Sequence, residues 1–254
     1  MVDELTIQRI HALNREFYQT FSGSFSSSRY QVQAGVRWIV RTFPTSGSIL
    51  DLGCGNGNIL RELAAVGFQG TYHGIDFSEA LVNHARNFYE AMQPGAAFRA
   101  QFAMHDLISL SWKNSLIAQQ YECICAFAVL HHIAGGEKRK AVFQAIRSLM
   151  SPVTEFHFSV WQPQNSKRLL KRILPWDTVD IDEKKLEAGD ILLDWLAEEE
   201  SRHRTGYRYV HVFSIEELAE IAKTLGFRVV GSFFSDGESN NLGLYQHWRA
   251  TALP

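Results

Sequence analysis

Leu5, Ile10, Leu13, Phe17 and Phe21 recur at roughly helical spacing, which predicts an amphipathic helix over residues 4–21. A serine-rich connector, residues 22–30, leads to a second helical run from Val32 to Phe43, stopped by Pro44. From there short apolar runs alternate with helical patterns. Strands are predicted at 48–52, 71–76, 98–104, 121–127 and about 153–161, and helices at 58–66, 78–92 and 136–150. Such alternation builds a doubly wound α/β fold: a parallel sheet, right-handed crossovers, helices on both faces and ligands beyond the carboxyl ends of the strands. The rhythm breaks between Pro163 and Tyr207, where basic residues, Pro175 and a mixed-charge helix around 182–200 read as an insertion over the ligand edge. Order returns in SIEELAEIAKTLGF, where Ser214 and Glu217 have capping-box spacing and Gly226 ends the helix. Two β-like runs, 227–234 and 243–249, suit an antiparallel edge. The expectation is one domain over 1–254, with an N-terminal helical lid (1–43) and a cap insertion (163–207).

Composition narrows the class without choosing a function. A hydrophobic content of 46% is ample for a core, and a net charge of −2 gives no global attraction to nucleic acid or an anionic membrane. Any polyanion site must be a local patch. Cys54, Cys123 and Cys125 lack framework spacing and read as buried thiols in a reducing compartment. MVDELTIQRI has no signal-peptide core and no 18-residue apolar run exists, so a cytoplasmic location without membrane association is expected.

The stretch ILDLGCGNGNILREL, Ile49 to Leu63, carries the candidate chemistry. Its glycines at 53, 55 and 57 let a strand turn tightly into a helix with the backbone against a ligand. A pyrophosphate loop leaves its mouth to N–H groups and the helix N-terminus. Here Asp51 would repel phosphate and welcome a cation, and Asn58 occupies the position where the dinucleotide fingerprint wants Gly or Ala. The pattern favours a nucleoside with a positive amino-acid tail, S-adenosylmethionine (SAM). Asp51 and Gly53 would hold its ammonium and carboxylate, with Cys54, Gly55 and Asn58 completing the loop. Asp76, 19 residues after Gly57 at a strand end, is placed to accept from both ribose hydroxyls. Its alternative is a helix N-cap, which Ser78 could supply instead. Phe77 could pack on the adenine, with Asp106 accepting from the adenine amino group and Leu107 beside it. Phe127 and Ala128 would line the pocket near the sulfonium. His131 and His132 lack the third ligand and the spacing of a zinc site, so no metal is expected; His132 is the one expected to face the substrate.

Together these motifs, in order over residues 48 to about 160, resemble the class I SAM-dependent methyltransferases. That resemblance implies a Rossmann-like, mainly parallel seven-stranded sheet ending in an antiparallel hairpin. FSSSRY (25–30), AVLHHI, SVWQPQNSKR and GYRYVHVFSIEEL (206–218) further resemble the tRNA wobble-uridine methyltransferases, which esterify a carboxymethyl group on the base, and their bacterial relatives. This second resemblance implies tRNA as a partner, allows for a small activator protein, and points to Arg29, Tyr30, Arg208, Tyr209 and His211 around the acceptor.

A carboxylate acceptor is already anionic near neutral pH and needs clamping rather than a base, a task for Arg29 or Arg208 with Tyr209 and His211. An amine or phenol would need one, and His132 or His211 could serve. Arg29 could instead grip the SAM carboxylate, and Arg208 and His211 could pair with the acidic run Glu198–Glu200. Lys167, Arg168, Lys171, Arg172, Arg202 and Arg204 could bind phosphates or simply be solvated, and Trp161, Trp176, Trp195 and Trp248 could stack on bases or pack. The main alternative acceptor is a small molecule. A further alternative is a SAM-binding regulatory partner without turnover.

Overall fold

The computed structural model describes residues 2–21, 23, 31–93, 95, 97–118, 120–199 and 202–251, with backbone only at 196–199 and 202–204. Alternating strands and helices fold as the pattern requires. Strands β1 (Ser46–Leu52), β2 (Gln69–Asp76), β3 (Phe98–Met104), β4 (Cys123–Phe127) and β5 (Glu155–Trp161) are joined by parallel pairing. Strand β10 (Gly243–Ala250) runs antiparallel between β5 and β9 (Phe227–Ser235), giving the order β3-β2-β1-β4-β5-β10-β9. The seven-stranded, mainly parallel sheet is thus present, with its antiparallel final hairpin. The order reverses between β1 and β4, the place where an open α/β sheet leaves a crevice for a ligand.

Period-two alternation sorts the core. Leu50, Leu52, Ile124 and Phe156 face Val142 and Phe143 of α5 (Gly136–Arg147) and Leu218 of α7 (Ile215–Leu225). Ile49, Cys123 and Cys125 face the other way, towards Val36 and Ile39 of α2 (Ala34–Val40) and Leu60 and Leu63 of α3 (Ile59–Ala65). All three thiols are free and buried, and burial pushes each upward. Helix α4 (Glu79–Ala91) follows β2, and Ser78, not Asp76, caps it by accepting from the Leu81 N–H. At α7 the Ser214 hydroxyl accepts from the Glu217 N–H, and Gly226 closes the helix with φ +72°. The Glu217 carboxylate, however, reaches His211 and Arg139.

The cap differs from expectation. After the one-turn helix α6 (Lys167–Leu170) come β6 (Ile173–Leu174), β7 (Asp190–Glu199) and β8 (Arg202–His211), a separate antiparallel sheet. The helix expected around 182–200 is a strand over most of that length. Its mixed charge suggested a helix, but Leu192 packs with Ile7 and Ile10 of α1 (Glu4–Thr20) while Leu193 packs oppositely on Trp161 and Val210. A strand buried on both faces loses its polar/apolar alternation, so its run of apolar residues has no visible period. Helix α1 lies on β8. Asn14 fastens it there: its Oδ1 accepts from the Tyr209 N–H (2.8 Å), and its Nδ2 donates to the carbonyls of His132 (3.1 Å) and Tyr209 (3.3 Å). Among the described residues no helix is long and apolar enough to cross a membrane.

Candidate functional site

The turn after β1 is pinned to β2, because the N–H groups of Gly53 and Cys54 both donate to the Ile75 carbonyl (2.7 and 3.0 Å). Gly53 is required twice over: its φ is +74°, and a Cβ would stand 2.5 Å from a Val129 methyl. Gly55 has φ +55° and nothing within 4 Å of a Cβ position, so the cleft there is open to a ligand.

Two cavities meet across this turn. One is lined by Asp51, Gly53, Cys54, Gly55, Asn58 and Phe127, with Tyr18 and His132 on its outer side. The other runs between the ends of β2 and β3, lined by Arg15, Phe77, Asp106 and Leu107. Gly53, Asp76, Phe77, Val129 and His132 belong to both.

Asp51 is 3% exposed. It accepts from the Tyr72 hydroxyl (2.6 Å) and the Cys125 thiol (3.4 Å), and burial pushes its carboxyl up to about 6 against those two bonds. A buried anion held only by neutral donors calls for a cation beside it. Asp76 accepts from the Gly55 and Ser78 N–H groups (both 2.9 Å), and burial raises it likewise to about 6. Each oxygen retains acceptor capacity towards the cavities. Asp106 accepts from the Ile108 N–H and pairs with exposed Arg15 at 3.0 Å. Phe77 meets the Tyr18 ring edge-on, centroids 5.8 Å apart. At the end of β4, Ala128 takes a left-handed φ of +54° while its N–H donates to Ser159, a strained corner in the cavity lining.

His132 sits where the cavities join. Its Nδ1–H donates to the Tyr209 carbonyl (2.9 Å) and its Nε2 shares a hydrogen bond with the Tyr18 hydroxyl (2.7 Å), so the ring is fixed in orientation. His131 is buried, stacked on Trp161, its Nδ1 accepting from the Trp161 N–H.

The expected acceptor residues are not gathered together. Arg29 and Tyr30 lie outside the described residues. Arg208 is buried among Phe17, Trp161 and Trp195, its guanidinium carbon 4.9, 4.9 and 5.1 Å from the ring centroids. It stands one aromatic layer behind the lining, since Phe17 adjoins Tyr18 and Trp161 adjoins His132. Tyr209 and His211 project from the opposite face of β8. The Tyr209 hydroxyl donates to Asp190 (2.8 Å), and His211 bridges Asp190 (2.7 Å) and Glu217 (2.9 Å) beside the Arg139–Glu187 ion pair. Burial alone would depress His211, but its bonds to Asp190 and Glu217 outweigh that and hold it above the ordinary value. Neither residue lines a cavity of the nucleoside site. The side chains of Glu198 to Glu200, Arg202 and Arg204 are outside the described residues. Trp176 and Trp248 are core, and Trp161 and Trp195 flank Arg208. Asn14 and Tyr18 carry no signal in the sequence beyond the apolar stripe of the first helix, and Val129 none beyond its place in AVLHHI.

Residues 26–232 match the model of a methyltransferase domain. The chain belongs to that methyltransferase family. This methyltransferase is 26% identical over 216 residues to a putative methyltransferase of Encephalitozoon cuniculi, covering 84% of this chain and 86% of the relative. It is also 26% identical over 149 residues to the tRNA (carboxymethyluridine(34)-5-O)-methyltransferase ALKBH8 of Macaca fascicularis, covering 58% of this chain but only 19% of that longer protein. Its fold is that of an S-adenosylmethionine-dependent methyltransferase from Clostridium acetobutylicum, with a TM-score of 0.66 at 13% identity over 92% of this chain and 99% of the other. SAM fits the residues present. A carboxylate in want of a cation, an open glycine turn and a second carboxylate with spare acceptor capacity lie in the order ammonium, backbone, ribose. The bound sulfonium supplies an activated methyl group for in-line displacement, and the protein supplies alignment and dryness.

Proposed function

We propose that this SAM-dependent methyltransferase transfers its methyl group to a carboxylate oxygen on a modified uridine of tRNA. Asp51 takes the SAM ammonium, Gly53 its carboxylate, Asp76 the ribose and Asp106 the adenine amino group. The observation that carries the acceptor class is His132. Both of its ring nitrogens are committed, one to the Tyr209 carbonyl and one to the Tyr18 hydroxyl. With Nε2 engaged by Tyr18, the site favours an acceptor that is its own nucleophile, as a carboxylate is.

Two further points support tRNA. The ALKBH8 likeness is to a protein named for methyl transfer at a carboxymethyluridine. The cap also presents Lys167, Arg168 and Lys171 exposed on one helical turn, while Arg172 is partly held 4.0 Å from Asp194. Three exposed cations on one turn suit a phosphate backbone.

The second reading, a small-molecule acceptor, rests on the Tyr18–His132 bond: a substrate hydroxyl or amine that displaced Tyr18 would meet Nε2 of His132 as its base. Incubation with tritiated SAM of a tRNA pool and a metabolite pool, side by side, separates the two. A methyl ester on tRNA releases tritiated methanol in mild alkali; label that stays on tRNA in alkali, or enters only metabolites, overturns the proposal. Labelling of tRNA should fall steeply between 50 and 200 mM salt. Arg208→Met should raise KM for tRNA about tenfold or more with SAM affinity unchanged.

A further inference from the structure

At the other end of the sheet, away from the nucleoside cleft, β5 and β10 bring together residues the methyltransferase site does not use. His157 faces His247 directly across the antiparallel pair, and Glu155, two residues earlier on β5, shares their face. Glu155 Oε2 lies 3.3 Å from His157 Nε2 and 3.7 Å from His247 Nε2. The three ligand atoms are all within 4.8 Å of one another. They form part of the wall of a groove of about 840 Å³ between α2 and the β5–β10–β9 edge, with Trp38, Thr42 and Gln246 around them.

We propose that Glu155, His157 and His247 bind one divalent first-row transition ion of the zinc class, its remaining coordination position open to this groove. Two imidazoles and a carboxylate are a donor set that such ions prefer, and three protein ligands leave a site for water or a substrate oxygen. Ligand atoms about 2.0–2.2 Å from a tetrahedral ion stand roughly 3.3–3.6 Å apart, close to the two separations measured from Glu155. His157 is 4% exposed, and the buried Nε2 of His247 makes no hydrogen bond among the described residues. Arg249 grips the other carboxylate oxygen, which holds Oε2 towards the two rings and also tempers the affinity through its charge. The rings now stack 4.2 Å apart at 16°. An ion must lie in the plane of each, so loading opens the stack on the groove side. It also takes the place of the hydrogen bond between His157 Nε2 and Glu155.

The cluster of Glu187, Asp190 and His211 shows the contrast. There His211 already bridges two carboxylates and Arg139 holds Glu187, so its donors are spent.

The test is a Co²⁺ titration of the full chain, free of any histidine tag, followed by Zn²⁺ competition. Expected are one equivalent bound in the micromolar range, a visible d–d spectrum, and loss of that spectrum to Zn²⁺. Ring-nitrogen chemical shifts of His157 and His247 should move together on Zn²⁺ addition. His247→Gln and Glu155→Gln should each weaken Co²⁺ binding at least tenfold, and a SAM titration of the same samples reports that they are folded. Binding that survives both substitutions, or Zn²⁺-induced shifts at any of the other eight of the chain's ten histidines without His157 and His247, overturns the proposal. So does the absence of a stoichiometric equivalent in wild type.

Discussion

Asp51→Asn separates what the carboxylate does for the ligand from what it costs the protein. The side chain is 3% exposed with only a phenol and a thiol as partners, and burial raises its carboxyl from 3.8 to about 6. A shift of roughly two units is about 3 kcal/mol of unfavourable solvation carried by the folded, ligand-free protein at pH 7. Because the folded state holds its proton more tightly than the unfolded chain, stability rises as pH falls from about 6 towards 4. The ligand-free Asn variant should therefore be more stable than wild type by about 1–3 kcal/mol at pH 7, and the advantage should shrink to nothing near pH 4. Binding should move the other way. Removing one member of a buried charge pair costs about 3 kcal/mol or roughly a hundredfold in SAM affinity. In wild type only about a tenth of a carboxyl at pKa 6 is ionised at pH 5, so SAM should bind about tenfold more weakly there than at pH 7.5. Asp76, raised by the same cause, adds to that loss. Calorimetric titration with SAM and denaturant melts of the ligand-free protein, each at two pH values, measure both effects. An Asn variant that keeps its affinity within threefold, or is less stable than wild type without ligand at pH 7, refutes the reasoning.

Gly53→Ala places a Cβ 2.5 Å from Val129 at φ +74°, so it should cost about 1–3 kcal/mol in denaturant melts and weaken SAM binding through the displaced turn. Asn14→Ala leaves the Tyr209 N–H buried without its acceptor and should cost about 2–4 kcal/mol, read by chemical denaturation, with faster amide exchange at Tyr209. His211→Gln should cost about 1–3 kcal/mol at pH 6. A histidine held above its ordinary 6.5 stabilises fully below that pH and loses the effect as pH rises through its folded value, so the cost should be smaller at pH 9. A cost that does not vary with pH would remove the charge from that account.

That Asp51, Gly53, Gly55 and Asp76 line one cleft was legible because their placement is local. Asp51, the glycines and Asp76 sit at strand ends, where the chain itself delivers them to the crevice. The acceptor half was not. Arg208, Tyr209 and His211 are neighbours in sequence, but on a strand alternate side chains leave opposite faces. Arg208 goes towards Trp161 with Val210, while Tyr209 and His211 go to Asp190. A motif written as RYVH therefore cannot form one cluster once it lies in β8. The cap strands were obscured for a related reason: cover on both faces erases the alternation that betrays a strand.

The Asn14 amide has a bearing on what can pair with the edge of the small sheet. Strand β8 is the outer strand of the small sheet and would present a row of unpaired backbone groups. At Tyr209 the asparagine amide donates to the carbonyl and accepts from the N–H, the same pair of bonds a residue on an adjoining strand would make. A side chain thus stands in for a missing neighbour and blocks strand addition near the C-terminal end of that edge. Helix α1 in that sense covers part of the edge, and a chain that lost Asn14 would leave the Tyr209 backbone pair open to another strand as well as losing stability.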